Sequence, residues 1–423
     1  MIQLIKGFKD ILPGETAYWQ HLEALVGDTF ARFGFSEIRP PVMEKAELFK
    51  KSIGEATDIV EKEMYTFADR GGDPVTLRPE ATASVVRAYI QHKLYADQPV
   101  RKLYTMGPMF RRERPQKGRY RQFHQINAEV FGVASPYQDA QLILMLMTLL
   151  ARLSVTEVDI HLNSLGCRHC RPAYKEALGS FVQQRAGDLC PDCRQRATRN
   201  PLRVLDCKVE NCRHVTAGAP ALTEFLCSGC EEHFQAVTGI LKDLDIPFII
   251  DKFLVRGLDY YTRTTFEVQT SRLGAQNAIA GGGRYDDLVG LLGGPDQPAV
   301  GFAIGCERLI ELMSQDMDPP GPTGTDLFIA AIGRSAREKA FAWMCQLNLA
   351  GLGTEMQFED KSLKSQMKQA DKAGADRVLI VGDAELETGR ALLRDMTTRE
   401  QQEIPIDNLA DRIAAIIRAP EKE

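Results

Sequence analysis

Residues 101–132 read RKLYTMGPMFRRERPQKGRYRQFHQINAEVFG, two strand-like runs around a loop crowded with positive charge. Between Arg111 and Arg121 stand six basic residues (Arg111, Arg112, Arg114, Lys117, Arg119 and Arg121) against one acid, Glu113. Pro115 and Gly118, on either side of Gln116 and Lys117, interrupt that run as the tip of a hairpin would. On the return strand the two-residue period puts Phe123, Gln125, Asn127 and Glu129 on one face, and Ile126, Ala128 and Val130 on the other. A polar row therefore runs along a strand beside a basic loop. Arginines suit a polyphosphate, because the guanidinium fork stays charged and grips oxygens bidentately. The Gln/Glu row suits a small polar ligand lying on a sheet. The alternative is a solvated basic hairpin.

On the N-terminal side, Tyr18, Leu22, Leu25, Val26 and Phe30 recur at helical spacing and Gly34 closes the segment, so a helix is expected over 14–34. A strand follows over Phe35–Val42, ended by Pro40-Pro41. The run from Pro74 to Ala83 leads from a strand into a helix over Ala81–Lys93, with Pro79 and Glu80 at its start. There the Glu80 carboxylate either balances the helix dipole or holds a ligand ammonium. On the C-terminal side come an apolar helix over Gln138–Leu153 and a strand over Val155–Leu162.

A chain of 423 residues is long for one core, which predicts two or three domains. The net charge of −5 excludes a generally basic coat, so nucleic acid would have to bind at local patches. The N-terminal MIQLIKGFKDILPG has charges and a Pro-Gly turn where a signal peptide has an apolar run. The longest apolar run, around Leu142–Leu150, is too short to span a bilayer. A cytoplasmic protein without a membrane segment is expected. Eight of the ten cysteines fall between Cys167 and Cys230. Cys167/Cys170, Cys190/Cys193 and Cys227/Cys230 are CxxC pairs, and Cys207/Cys212 is CxxxxC. In a reducing compartment such clustering suggests metal rather than disulfides. Eight thiolates could serve two tetrahedral structural zinc sites, with His169, His214 or His233 as possible substitutes. Spacing leaves the pairing open, and buried or redox-active thiols are the alternative.

Beyond this segment, Lys252–Val268 carries Arg256 between Val255 and Gly257. An enclosed arginine needs an anionic ligand or a paired acid, and Asp259 is the near acid. Tyr260 and Tyr261 can line a small-ligand pocket. Ala280-Gly-Gly-Gly-Arg-Tyr-Asp brings backbone close to something, because the triplet removes every side chain. Ala299–Met313 reads as a buried strand, a glycine turn and an amphipathic helix carrying Arg308. The region 314–326, with Pro319, Pro320, Gly321 and Pro322, is the clearest linker. After it strands (Leu327–Ile332, Thr354–Phe358, Arg377–Val381) alternate with helices (Ala336–Leu349, Ser362–Ala373), a small α/β domain. Lys361, Lys364, Lys368 and Lys372 follow helical spacing, either as a nucleic-acid stripe or as a solvated face. No GxxxxGK[ST] match is present, which excludes a P-loop ATPase.

Together these residues resemble the class II aminoacyl-tRNA synthetases, and specifically the bacterial histidyl-tRNA synthetase family. Phe35–Val42 is similar to the first class-defining motif, 101–132 to the second and Val300–Leu312 to the third. Leu254–Tyr261 and Ala280–Asp286 are similar to two signatures peculiar to the histidine enzymes. The resemblance covers nearly the whole chain. It implies an α+β catalytic domain over 1–322, with a mostly antiparallel sheet flanked by helices. A helical, Cys-rich insertion over about 164–246 and a C-terminal α/β anticodon-binding domain over 325–423 complete the expected fold.

The activity implied is ligation: L-histidine and ATP with Mg²⁺ give histidyl-adenylate and pyrophosphate, and histidine then passes to the 3′ end of tRNA(His). The resemblance assigns ATP to Arg111, Glu113, Arg256 and Arg308, with Arg111 at the α-phosphate and Arg308 at the γ-phosphate side. Arg256 takes a place between α-phosphate and histidine carboxylate that a metal fills in related enzymes. It assigns histidine to Glu80, Ala81, Thr82, Arg111, Gln125, Glu129, Arg256, Tyr260 and Tyr261, with Glu129 and the tyrosines around the imidazole. Arg114, Gln116, Lys117 and Arg119 approach the tRNA acceptor end, and Pro41 packs at a homodimer interface. Position 81 is alanine where the family commonly has glycine. Zinc is not implied by the resemblance and rests on cysteine spacing alone. The rival reading is the non-catalytic paralogue, the regulatory subunit of ATP phosphoribosyltransferase, which shares the catalytic-domain fold.

Overall fold

The computed structural model describes residues 2–55, 57–274, 276–317 and 324–419. The chain divides into two compact units, Met1–Pro319 and Pro320–Glu423. The centre of the expected linker, 318–323, lies outside the described residues.

In chain order the strands of the first unit are β1 (Ser36–Glu37), β2 (Met43–Lys45), β3 (Tyr65–Ala68), β4 (Pro74–Leu77), β5 (Arg101–Phe110), β6 (Gln122–Phe131), β7 (Asp159–Ser164), β8 (Ile249–Ile250), β9 (Thr262–Gln269), β10 (Ala278–Arg284) and β11 (Ala299–Gly305). Eight of them form one sheet in the order β1-β5-β6-β11-β10-β9-β7-β8. Its central ladder from β5 to β7 is antiparallel throughout, and only the short edge strands β1 and β8 pair in parallel. The strand expected over Phe35–Val42 is cut short. Pro40 and Pro41 offer no N–H to a ladder, so β1 stops at Glu37 and the chain resumes at Met43 in a separate three-stranded sheet, β2-β4-β3. The strand expected at Val155 begins only at Asp159, after a tight turn in which Val158 N–H donates to Thr156 O (3.0 Å).

One face of the large sheet is packed. Ile126, Ala128, Val130, Phe302 and Ile304 meet Leu22, Val26 and Phe30 of the helix Glu15–Arg32, and Leu142, Leu146 and Leu149 of the helix Pro136–Arg152. Close packing of this kind makes truncation of Leu146 cost ~2–5 kcal/mol. Behind the sheet, Arg284 is fully buried against Asp139 (Nη2–Oδ2 2.7 Å), with Val133 O and Ser135 O (both 2.9 Å) and Asp286 Oδ1 (3.2 Å) taking its remaining N–H groups. The other face is partly covered, Phe131 and Ala299 packing against Val85, Val86 and Tyr89 of the helix Thr82–Gln91, and the site lies in the part of that face left uncovered.

Between β7 and β8 the expected helical insertion is present as the helices Arg171–Gln184, Pro191–Arg199, Glu210–Thr216 and Ser228–Asp243. The second unit has a sheet ordered β13-β12-β14-β15-β16, from β12 (Leu327–Ile332), β13 (Thr354–Met356), β14 (Arg377–Gly382), β15 (Arg390–Asp395) and β16 (Gln401–Pro405). Its first three strands are parallel, joined by the helices Arg334–Leu349 and Leu363–Lys372, and β15 and β16 add an antiparallel edge. The helix Leu363–Lys372 turns Gln366 and Ala370 inward, leaving Lys364, Lys368 and Lys372 exposed.

Candidate active site

The floor of the site is set by register. Across β6 and β11, Gln125 faces Gly305, Asn127 faces Ala303 and Glu129 faces Gly301. Small residues thus stand opposite each member of the polar row and leave space above the strands. One column over, Gly281 of β10 lies between Ala303 and Glu267 of β9. The result is a cavity of about 200 Å³ whose wall includes Glu80, Thr82, Arg111, Phe123, Gln125, Asn127, Arg256, Tyr260, Tyr261 and Arg308. Gln125 Oε1, Asn127 Oδ1 and Arg256 Nε are buried there without a partner. Each such group costs ~1–3 kcal/mol unless a ligand meets it.

The three arginines enter from separate elements. Arg111, just past β5, is fixed by donation from Nε to Pro79 O (2.9 Å) and lies 5.2 Å from the centre of the Phe123 ring. Arg308 comes from the helix Cys306–Asp316 and is held by Ala278 O. Burial, and then the like charge of Arg119, press its pKa downward, so an anion here would be doubly welcome. Arg256 lies flat over Gly281, where a Cβ would strike the guanidinium. Its acid is Glu267, not Asp259, which accepts instead from Asn200 Nδ2 at 3.0 Å. Asp259 sits on a loop turned away, whereas Glu267 is across one glycine on the neighbouring strand. Burial disfavours the Arg256 charge, and Glu267 outweighs it, holding the pKa above its ordinary value.

At the opposite end Glu80 caps the helix Thr82–Gln91, accepting from Thr82 N–H (2.7 Å) and Ala83 N–H (2.9 Å). Burial still pushes its pKa up. Glu129, 1% exposed, lies behind the cavity wall rather than in it. Its carboxyl is bound by Thr82 Oγ1 (2.6 Å) and by the Tyr285 hydroxyl, and burial raises its pKa to about 8. The Tyr260 and Tyr261 rings lie with centroids 4.7 Å apart, tilted by 46°, and burial pushes the Tyr261 phenol to about 12.

Glu113 and Arg119 also line the cavity, joined at 2.9 Å; the Arg119 backbone closes the hairpin tip against Gln116 while its side chain reaches the cavity. Gln116 and Lys117 lie outside, along a neighbouring cleft shared with Arg308, and Lys117 pairs with Glu311 at 2.8 Å. Arg114 is exposed on the tip, Ala81 is buried behind the wall, and exposed Pro41 stands apart beside exposed Val42 and Met43. The sequence reading missed Glu267 and Tyr285. A lone glutamate between Phe266 and Val268 was the signal for the first, and the tyrosine inside the Gly-Gly-Gly-Arg-Tyr run for the second. The eight clustered cysteines converge in two groups of four that could hold metal, Cys167/Cys170/Cys227/Cys230 and Cys190/Cys193/Cys207/Cys212.

The family described as histidyl-tRNA synthetase matches residues 7–309. The chain belongs to the histidyl-tRNA synthetase family. A second match, to an anticodon binding domain, covers residues 326–416. The histidine–tRNA ligase of Desulfosudis oleivorans is 69% identical over 409 residues, 97% of each chain. That of Desulforapulum autotrophicum is 57% identical over 417 residues, 99% of this chain and 98% of its own. The apo histidyl-tRNA synthetase of S. aureus superposes with a TM-score of 0.82 at 34% identity, covering 98% of this chain and 100% of that one. No helix of the described residues is long and apolar enough to cross a membrane.

Proposed function

We propose that this histidyl-tRNA synthetase family member is a working histidine–tRNA ligase, and that the cavity over β6, β11 and β10 is where it makes histidyl-adenylate. The observation that carries this is the convergence of Arg111, Arg256 and Arg308 with the unpartnered Gln125 and Asn127 in one cavity. In the first step a histidine carboxylate oxygen attacks the α-phosphorus, a new P–O bond forms, and pyrophosphate leaves with the electrons of the broken one. ATP enters as its Mg²⁺ complex, the ion neutralising part of the phosphate charge. Arg111 orients the α-phosphate and Arg308 receives the γ-phosphate side. Arg256 bridges the two anions that must meet, so that alignment and charge neutralisation supply the acceleration.

Glu80 and Thr82 take the ammonium group, with Gln125 on the amino acid. Tyr260 and Tyr261 enclose the imidazole, and Glu129 acts from behind them, its carboxyl setting Thr82 and Tyr285. A polar pocket of this kind rejects apolar isosteres by leaving its own groups unpaired. In the second step a 3′-terminal ribose hydroxyl of tRNA(His) attacks the histidyl carbonyl and AMP leaves. Arg114, Gln116 and Lys117 guide the acceptor end, and the lysine-lined helix of the second unit contacts the anticodon side. The enzyme works in the cytoplasm as a homodimer, with Pro41, Val42 and Met43 on the buried face. The regulatory-subunit reading is disfavoured by the three retained arginines and by the anticodon-domain match. Purified enzyme should exchange pyrophosphate into ATP with histidine alone of the twenty amino acids. Exchange with another amino acid, or none, overturns the assignment.

A further inference from the structure

The insertion carries chemistry that the ligase reaction does not use. In a tetrahedral zinc–thiolate site with Zn–S of about 2.3 Å, sulfur atoms stand about 3.8 Å apart. Here Cys167 Sγ lies 3.7 Å from Cys170 Sγ and 3.9 Å from Cys227 Sγ, and Cys190 Sγ lies 3.9 Å from Cys207 Sγ. A disulfide needs about 2.05 Å. Backbone N–H groups point at the sulfurs: Cys227 N–H at Cys170 Sγ (3.2 Å), His169 N–H at Cys167 Sγ (3.4 Å), Cys190 N–H at Cys212 Sγ (3.2 Å) and Cys193 N–H at Cys190 Sγ (3.4 Å). Donors so placed steady thiolates around a cation. Neutral thiols would use them poorly.

The two groups sit in different mechanical positions. Cys167 and Cys170 follow β7, and Cys227 and Cys230 open the helix Ser228–Asp243 that packs on the sheet. This group closes the root of the insertion. The other group brackets residues 194–206, with Cys190 and Cys193 before them and Cys207 and Cys212 after. That short arm contacts the front of the catalytic unit through charged and polar side chains. Arg196 and Arg203 reach Asp58 (2.7 and 3.1 Å), Arg199 reaches Glu61 (3.1 Å), and Asn200 holds Asp259 (3.0 Å). Asp259 is on the same loop as Arg256, Tyr260 and Tyr261, and the segment holding Asp58 and Glu61 runs to Glu63, whose carbonyl receives Arg112 N–H (2.7 Å).

We propose that the enzyme binds two structural zinc ions per chain. One sits in Cys167/Cys170/Cys227/Cys230 and one in Cys190/Cys193/Cys207/Cys212, and the second positions the histidine-binding loop through the 194–206 arm. A metal that ties both ends of the arm removes the loop entropy that would otherwise oppose its contacts. Arg196, Arg199, Asn200 and Arg203 are positioning residues, since none lines the catalytic cavity.

The positioning half rests on the histidine reading of the cavity; the metal half does not. Enzyme purified without chelator should contain two zinc per chain by elemental mass spectrometry, released by a mercurial in the presence of a chromogenic chelator. Cys167→Ser/Cys227→Ser and Cys207→Ser/Cys212→Ser should each retain one. One zinc or none in the unaltered chain, or iron in place of zinc, overturns the metal half. In pyrophosphate exchange, Cys207→Ser/Cys212→Ser should raise the histidine KM about tenfold, the effect of losing a hydrogen bond to a charged group. The ATP KM, governed by Arg111 and Arg308 on other elements, should change less than about twofold, whereas kcat should fall as well because Arg256 rides on the same loop. Should that variant fail to fold, Asn200→Ala is the second probe: two zinc retained, histidine KM raised, ATP KM unchanged. A normal histidine KM in Asn200→Ala, or equal changes in both KM values, overturns the positioning half. Absence of histidine-dependent exchange in the unaltered enzyme instead refutes the ligase reading and leaves the zinc count standing.

Discussion

Gly281→Ala tests the reach of the Arg256 argument without touching the arginine. A Cβ at position 281 would lie 2.5 Å from Arg256 Nη1 and nearer still to Cζ and Nη2, where ordinary contact begins at 3.4 Å. The guanidinium must therefore retreat by about 1 Å, against its pairing with Glu267. Because the obstruction is the far end of a flexible side chain, the fold can absorb the change, and alanine in a strand interior is favoured over glycine by ~0.5–1 kcal/mol. Catalysis cannot absorb it so easily. A displacement of ~1 Å in a group that aligns two reacting anions costs about 10²-fold, or ~2.7 kcal/mol of barrier. Histidine-dependent pyrophosphate exchange should fall about 10²-fold in kcat/KM while the melting temperature stays within a few degrees. Gly282→Ala supplies the contrast. Its Cβ would meet the Gly301 carbonyl and lie 2.6 Å from Phe302 Cβ, atoms that cannot swing away, so that variant should lose stability first. Exchange by Gly281→Ala within about threefold of the unaltered enzyme would sink the bridging role given to Arg256.

Three further outcomes follow from other parts of the molecule. Arg284→Met should destabilise the fold by ~3–5 kcal/mol in urea melts, because it leaves the buried Asp139 carboxylate with His233 (3.2 Å) as its remaining partner; a change under about 1 kcal/mol would contradict this. Glu129 keeps its proton in the folded state up to about pH 8, against 4.5 when unfolded, so between those values the folded state binds the extra proton and stability declines as pH rises. Glu129→Gln should flatten that decline between pH 5 and 9, and parallel curves for the two proteins would refute it. Lys364→Ala/Lys368→Ala, on the exposed helix face of the second unit, should raise the tRNA KM in aminoacylation and shallow its salt dependence while leaving pyrophosphate exchange alone; unchanged tRNA kinetics would assign those lysines to solvent.

The hairpin was legible because its information is local. Alternation along Phe123–Val130 fixes which residues face the core, and the structure puts Ile126, Ala128 and Val130 there. The isolated Arg256 was legible for a similar reason, since enclosure of a charge demands an anion wherever the anion is. Its partner was not legible. Asp259 is three residues away and Glu267 eleven, but nearness along a loop says nothing about direction, whereas register across β9 and β10 places Glu267 beside Gly281. The cysteine pairing failed to show for the same reason: the first pair joins the last across the whole insertion, a choice made by how the helices return and not by any spacing.

The glycine triplet shows where the boundary between these two kinds of information lies. Three consecutive glycines announce that the backbone is closely approached, and the sequence says no more than that. In the folded chain each serves a different neighbour: Gly281 admits the Arg256 guanidinium, Gly282 the Gly301 and Phe302 backbone of β11, and Gly283, at φ +152°, the Thr264 carbonyl of β9. Only the first lines the cavity. The other two close the sheet tightly enough that the floor cannot shift under the arginine. A substitution at 282 or 283 should therefore reach activity through stability, and one at 281 should reach it without.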